Sequence, residues 1–431
     1  MNREKNVNKA ILIGAGPSAL VAAKGLAKKG WEVEIFEALD RVGGLCRSFQ
    51  WNEYIVDIGP HVFHTSDNQL EEYWKKNFND LLIEGTYWSQ NVQGKSFDKF
   101  YDYPLSWESI SLYPKDIKEN ILKEISELDI YNKANAKSYK QYIDSIAGKT
   151  LRKMFFERFP EKLWGIPVTQ MTADWAPKRV NIYEKKTPFF NKQWTAVGKN
   201  GAGAIYERIA DDIKNFRGKI NLNNKIINID HDGSRVNSIS TIDKVVEVRD
   251  KDIVISTIPL VSLLKMLGHK SNLKFRGVII FYVDCLLKQV LPNGISWQYY
   301  DSSKVHFTRI TEPKQMGVSS PSKDKTLITI EVPFSAGDYL DQKEKEVICK
   351  EIIEQVVSVG LLQKKDINDI TMVKENFVYP VQYKGYQEEL SKIELTPDME
   401  KKITSKFNLL SNSKVIKQNI EEIKNIKNGS N

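Results

Sequence analysis

Three cysteines in 431 residues, Cys46, Cys285 and Cys349, are too few and too scattered for a disulfide framework or a metal site. No apolar run approaches the roughly 18 residues of a membrane span. The opening MNREKN also lacks the apolar segment of a secretory signal. No transmembrane segment is therefore expected, and the chain is expected in the cytoplasm. Histidine is scarce, with five residues, and no Ser/His/Asp or Cys/His grouping of a covalent catalyst is recognisable. No internal repeat is visible. Basic residues outnumber acidic ones by 63 to 55, a net charge of +8, yet they are spread along the chain. That spread argues against a nucleic-acid partner and fits an anionic small molecule or a lysine-rich surface.

What is present reads as globular. Apolar residues make up 41% and charged residues 27%, and the length exceeds one typical domain. The stretch AILIGAGPSALVAAKGLAKKGWEVEIFEALDRVGGLCRSF, from Ala10 to Phe49, carries the densest information. Ala10 to Ile13 is the apolar run of a buried parallel strand. Gly14 and Gly16 open a G-x-G-x-x-G pattern with Ala19 in the third place, and Pro17 and Ser18 begin a helix that ends at Gly30. A second strand from Trp31 to Phe36 delivers Glu37, followed by Ala38. The glycines permit a tight turn and close approach of a pyrophosphate, and the helix N-terminus offers it backbone N–H groups. An acidic residue about 20 positions on accepts ribose hydroxyls. A 2′-phosphate would meet Glu37 unfavourably, so NAD or FAD is expected rather than NADP.

The next residues, RVGG at Arg41 to Gly44 followed by Leu45, resemble the flavoprotein superfamily of amine oxidases, protoporphyrinogen oxidase and UDP-galactopyranose mutase. There the glycine pair (here Gly43 and Gly44) lies along the FAD phosphates with the arginine nearby. The resemblance implies FAD. It also implies an α/β fold with a Rossmann-like FAD-binding domain split over 1–66 and 195–275. A mainly helical insert is expected over 67–194 and an antiparallel-sheet substrate domain over 276–390. An atypical Lys- and Asn-rich segment follows over 391–431. In this superfamily the strands after residue 195 close the FAD domain, which would bring Ile226 near the adenine and Thr257, at the end of DIVISTIPL, to the cofactor.

DIGPHVFHT, from Asp57 to Thr65, is similar to the G-P-H-[IV]-F-H-T segment of bacterial UDP-galactopyranose mutases. The resemblance puts Gly59, Pro60, His61 and His64 against the reactive face of the flavin. Both histidines can exchange protons near neutral pH, although a pair of structural histidines would read the same way. Farther along, EKLWGIPVTQMTADWAPKRV resembles the tryptophan and arginine loop of the mutases, with Trp164 stacking near a base and Arg179 reaching a pyrophosphate. A core tryptophan and a solvated arginine are the plainer alternative. HFTRITEPK is similar to a T-R-x-x-E segment whose arginine, here Arg309, faces substrate phosphates. A structural salt bridge would be the other role for Arg309. Glu331 and Asp338 are expected in the same sheet and its following loop. Tyr379, Pro380, Gly385 and Tyr386 match a YP…GY pattern in a bacterial branch tied to surface polysaccharides.

One family element is missing. The superfamily closes with a glycine–arginine turn and a tyrosine-rich segment opening a last helix, but no glycine falls between Gly385 and Gly429. Looser FAD binding is expected if nothing replaces that helix N-terminus. The reading that follows is a flavoenzyme acting on a nucleoside-diphosphate sugar, a pyranose–furanose mutase needing reduced FAD, with NAD(P)H as a possible reductant. It competes with an FAD-dependent oxidoreductase of the amine oxidase type and with a flavin-fold binding protein that has lost catalysis. A homodimer is compatible with all three.

Overall fold

Residues 10–13 carry no side chain that can hydrogen-bond, and such a strand is stable only with both faces covered. In a computed structural model, which describes residues 7–128, 135–174, 180–233 and 235–393, the strand Lys9–Ile13 lies inside a four-stranded parallel sheet. Its neighbours are Glu32–Phe36 and Ile253–Ser256, with Lys219–Asn221 outside Glu32–Phe36. The described chain divides into two compact units, one within 1–84 and 193–272, the other within 85–192 and 273–391.

In the first unit, the helix Pro17–Lys28 buries Ala19, Leu20, Ala23 and Leu26 at three- and four-residue spacing. The helix Gly203–Asn215 does the same with Ile205, Tyr206, Ile209 and Ile213. A three-stranded antiparallel sheet pairs Trp194–Gly198 with Val62–Thr65 and Leu82–Glu84, which carries the GPHVFHT stretch. Asn228–His231 and Val236–Ser240 pair as an antiparallel hairpin on either side of Asp232-Gly233. The helix Asn68–Phe78 belongs to this unit, not to a separate insert, because Trp74 and Phe78 are buried in the same apolar cluster as the first helix.

The second unit is built on a seven-stranded sheet. Its order is Ile367–Pro380, Phe275–Cys285, Thr326–Phe334, Arg309–Thr311, Trp297–Tyr300, Ser89–Gln93 and Lys99–Tyr103. The last two strands come from the region read as mainly helical, and Ser89–Gln93 pairs in parallel with Trp297–Tyr300. One sheet face packs Ile279, Phe281, Ile328, Ile330 and Ile310 on the helix Lys345–Ser358. By strand alternation the other face carries Trp297, Tyr299, Arg309, Thr311, Thr329 and Glu331. The helices Lys115–Ser126, Tyr139–Leu151 and Arg158–Trp164 share a separate apolar cluster.

Of the stretch KVHFTRI, residues 304–310, only Arg309 onward is strand. Before it, Val305 and Phe307 turn into the core, and a lysine replaces the missing ladder. The Lys162 ammonium donates to the carbonyls of Tyr300 (3.0 Å), Ser302 (3.0 Å) and Phe307 (2.6 Å). No described helix is long and apolar enough to cross a membrane. The Lys- and Asn-rich segment lies, from residue 394 on, outside the described residues.

Candidate functional site

Two glycine turns make the centre of the first unit. Gly14 takes φ +98°, and a Cβ there would stand 2.7 Å from Thr257 Oγ1. Thr257 itself donates from its backbone N–H to the Ile13 carbonyl (2.9 Å), which seats it under the first turn. The second turn is locked on the first: the Gly43 N–H donates to the Ala15 carbonyl (2.8 Å). Gly44 has φ +55°, and a Cβ on it would lie 3.1 Å from the Gly16 Cα. Among the described residues no side chain caps the helix that Pro17, Ser18 and Ala19 begin, so its N-terminus presents backbone.

Glu37 is 7% exposed at the end of its strand. Its carboxylate accepts from the N–H groups of Ala15 (2.7 Å) and Leu39 (2.9 Å). A carboxylate offers about four acceptor sites, so two remain for ribose hydroxyls. Ala38 is exposed beside it. This double-glycine cradle, with an uncapped helix and a buried acid, fits a dinucleotide with an extended pyrophosphate. Arg41 is turned aside, forking onto Asp40 (2.9 and 2.8 Å) and donating to the Ser48 carbonyl (3.2 Å). Ile226 is buried among Ile11, Ile13 and Phe36.

The Asp57–Thr65 stretch is held from below. Asp57 accepts from Ser48 Oγ and from the Ala202 N–H (3.0 Å), while the Gly203 N–H donates to Ser48 Oγ (2.7 Å). Burial pushes the Asp57 carboxyl up, against His61, Ser48 and Ala202. Gly59, at φ +74°, turns the chain before Pro60. His61 is then engaged on both ring nitrogens. Nε2 lies 2.8 Å from the Leu45 carbonyl and 3.1 Å from that of Ile58, and Nδ1 lies 3.8 Å from Cys46 Sγ. His61 thus ties the Gly43-Gly44 turn to the Gly59-Pro60 turn. The Cys46–His61 pairing, 15 residues apart, forms no motif and was not legible in the sequence. His64 faces Gln193 Oε1 at 2.8 Å.

Burial alone would drive His61 neutral, but Cys46, Asp57 and the Leu45 carbonyl outweigh it and raise its pKa from 6.5 to about 9. A raised folded-state pKa favours folding while the proton is bound. This contribution is complete below pH 6.5 and is lost as pH rises through about 9. The melting temperature is expected to fall more steeply over that window in the wild type than in a His61→Asn variant. Parallel curves would contradict the assignment.

In the second unit, Trp164 ends its helix, with Gly165 at φ +67° as the cap. Arg276 donates to the carbonyls of Lys162 (3.0 Å) and Leu163 (3.2 Å), fixing that end. Trp164 meets the Tyr379 ring edge-on at 5.9 Å. Burial would lower the Arg309 pKa, but Glu331, Tyr299 and Tyr379 raise it, so Arg309 stays charged. Its guanidinium takes Glu331 in a two-point ion pair, with Nη2 2.9 Å from Oε1. The fold therefore gathers Trp164, Tyr379, Tyr299, Arg309 and Glu331. Asp338 caps the helix that follows the sheet, accepting from the Asp341 N–H (3.0 Å). Arg179 lies outside the described residues.

The chain is similar to known proteins both in sequence and in fold. The model of the "Flavin containing amine oxidoreductase" family matches residues 18–279, more than half of the chain. A probable UDP-galactopyranose mutase of Klebsiella pneumoniae is 25% identical over 208 residues, covering 47% of this chain and 52% of that protein. A dTDP-fucopyranose mutase of Escherichia coli is 23% identical over 210 residues, covering 47% of this chain and 54% of that protein. The chain thus spans about half the length of these curated relatives. The crystal structure of a reduced UDP-galactopyranose mutase superimposes with a TM-score of 0.79 at 19% identity, covering 98% of this chain and 96% of that one. That likeness establishes the α/β fold.

Proposed function

The chain belongs to the flavin containing amine oxidoreductase family, and from that premise we propose an FAD-dependent enzyme acting on a nucleoside-diphosphate sugar. Most simply it is a pyranose–furanose mutase serving surface polysaccharide synthesis. The observation that carries this reading is the cluster of Arg309 with Tyr299, Tyr379 and Trp164 in the second unit. A planar guanidinium suits a diphosphate, and aromatic faces suit a base. Both curated relatives bear the names of sugar-nucleotide mutases, which supports the same class.

FAD would be held by Gly14, Gly16, Gly43, Gly44 and Glu37. Once bound and reduced by NAD(P)H, it would supply the electron-rich centre that makes and breaks the bond to the sugar. The chain's own residues bind and orient. Glu37 takes the ribose, and the helix beginning at Pro17 balances the pyrophosphate charge. His61, engaged on both nitrogens, acts as a positioning residue that keeps the two turns together. Arg309 holds the diphosphate. The family's own description favours a second reading, the flavin-linked oxidation of an amine.

Calorimetric titration of FAD-loaded protein with UDP and dTDP tests the proposal. Binding of at least one is expected. Binding of neither, together with bleaching of the flavin by an amine, would contradict it.

A further inference from the structure

The sheet face that carries Arg309 also holds two buried polar groups that the protein leaves unanswered. Trp297 is 2% exposed and Thr311 fully buried. Among the described residues neither Trp297 Nε1 nor Thr311 Oγ1 has a hydrogen-bond partner. Their pairing is direct: Trp297 stands opposite Thr311 on adjacent antiparallel strands, and Tyr299 stands opposite Arg309 one step along. Directly opposed residues have Cβ atoms about 4.5–5.5 Å apart, so one small group can touch both. Residues two apart on a strand share a face, so this pair flanks the Arg309 row. Thr329 lies across from Thr311, and the Phe189 ring covers Trp297 edge-on at 5.0 Å.

Buried polar side chains are almost always satisfied, and two neighbouring exceptions on one face need an explanation. We propose that Trp297 and Thr311 form a sugar-hydroxyl subsite beside the diphosphate site of Arg309. This rests on the nucleoside-diphosphate-sugar reading. The chemistry is selective. An indole N–H only donates, whereas a threonine hydroxyl donates and accepts. The group between them must therefore offer an oxygen lone pair to Trp297 and can exchange a hydrogen bond with Thr311. A sugar hydroxyl meets both demands. An ammonium group has no lone pair for the indole and is disfavoured. Phe189 and Tyr299 add apolar faces suited to the C–H surface of a pyranose.

The test compares FAD-loaded wild type with Thr311→Val and Trp297→Phe. Each is titrated with UDP and dTDP, then with UDP-galactose and dTDP-fucose. Both variants are expected to bind the sugar nucleotide about tenfold more weakly while binding the bare diphosphate within about twofold of wild type. The melting temperature of Thr311→Val should not fall, since valine fills the same space and removes an unanswered hydroxyl. Equal changes for both ligands, or none, would overturn the subsite while leaving the nucleotide reading in place. A lowered melting temperature with unchanged sugar-nucleotide affinity would assign the pair to internal packing, with the same consequence. Wild type that binds none of the four ligands would overturn the reading and the subsite together.

Discussion

The Gly16→Val variant is expected to fold normally and to purify without flavin. Gly16 sits at φ −74° and ψ 176°, an extended conformation that valine adopts freely. The nearest atom to an added Cβ is the Gly44 Cα at 4.0 Å, an ordinary contact. The substitution therefore places little strain on the polypeptide. Its branched methyl groups would instead occupy the gap between the two glycine turns, over the uncapped start of the first helix. A pyrophosphate needs that space to reach the backbone N–H groups. FAD affinity should fall at least about a hundredfold, or about 2.7 kcal/mol, with an unchanged circular dichroism spectrum. Retained flavin at wild-type affinity would remove the glycine turns from the cofactor site. Gly44→Val is a poorer test, because φ +55° and the 3.1 Å approach to Gly16 would distort the protein itself.

Arg309 should show two separable effects. Arg309→Met leaves Glu331, only 8% exposed, as an unpaired buried carboxylate, and is expected to cost about 3–5 kcal/mol of stability. Replacing both partners, as Arg309→Met with Glu331→Leu, removes the stranded charge and should restore most of that stability. Nucleotide binding should not return with it. Charge-assisted hydrogen bonds lost to a diphosphate are worth about 1.5–3 kcal/mol, or about a tenfold to hundredfold weakening, in both variants. A double variant that is stable and binds UDP or dTDP as tightly as wild type would make Arg309 a sheet salt bridge and nothing more.

These two sites differ in how much of them could be read from the chain. The cradle was legible because its parts are local. Gly14, Gly16 and Glu37 fall within one strand–helix–strand unit, where spacing dictates geometry, and Gly43 and Gly44 follow it directly in a segment marked by its resemblance to a known family. The helices Asn68–Phe78 and Lys115–Ser126 also have local causes, because their apolar residues recur at three- and four-residue spacing. The rest depends on partners far away in sequence. Ser89–Gln93 pairs with the nearby Lys99–Tyr103, but it joins the large sheet only through Trp297–Tyr300, more than 200 residues later. Glu331 was expected in the sheet, but register alone sets it against Arg309. Nothing in the sequence singles out Lys162, yet burial brings its pKa down to about 7 while three carbonyls and Asp301 surround it. No local pattern marks such a residue, because the loop it closes is 138 to 145 residues distant.

The most direct test of a flavin-dependent sugar-nucleotide mutase is turnover. FAD-loaded, dithionite-reduced protein would be incubated anaerobically with UDP-galactose and with dTDP-fucose, and the products separated by chromatography. The expected result is a furanose isomer of at least one substrate, formed repeatedly while the flavin stays reduced. Absence of any furanose product, with an amine oxidised to give hydrogen peroxide in air, would contradict the mutase and leave a flavin oxidase.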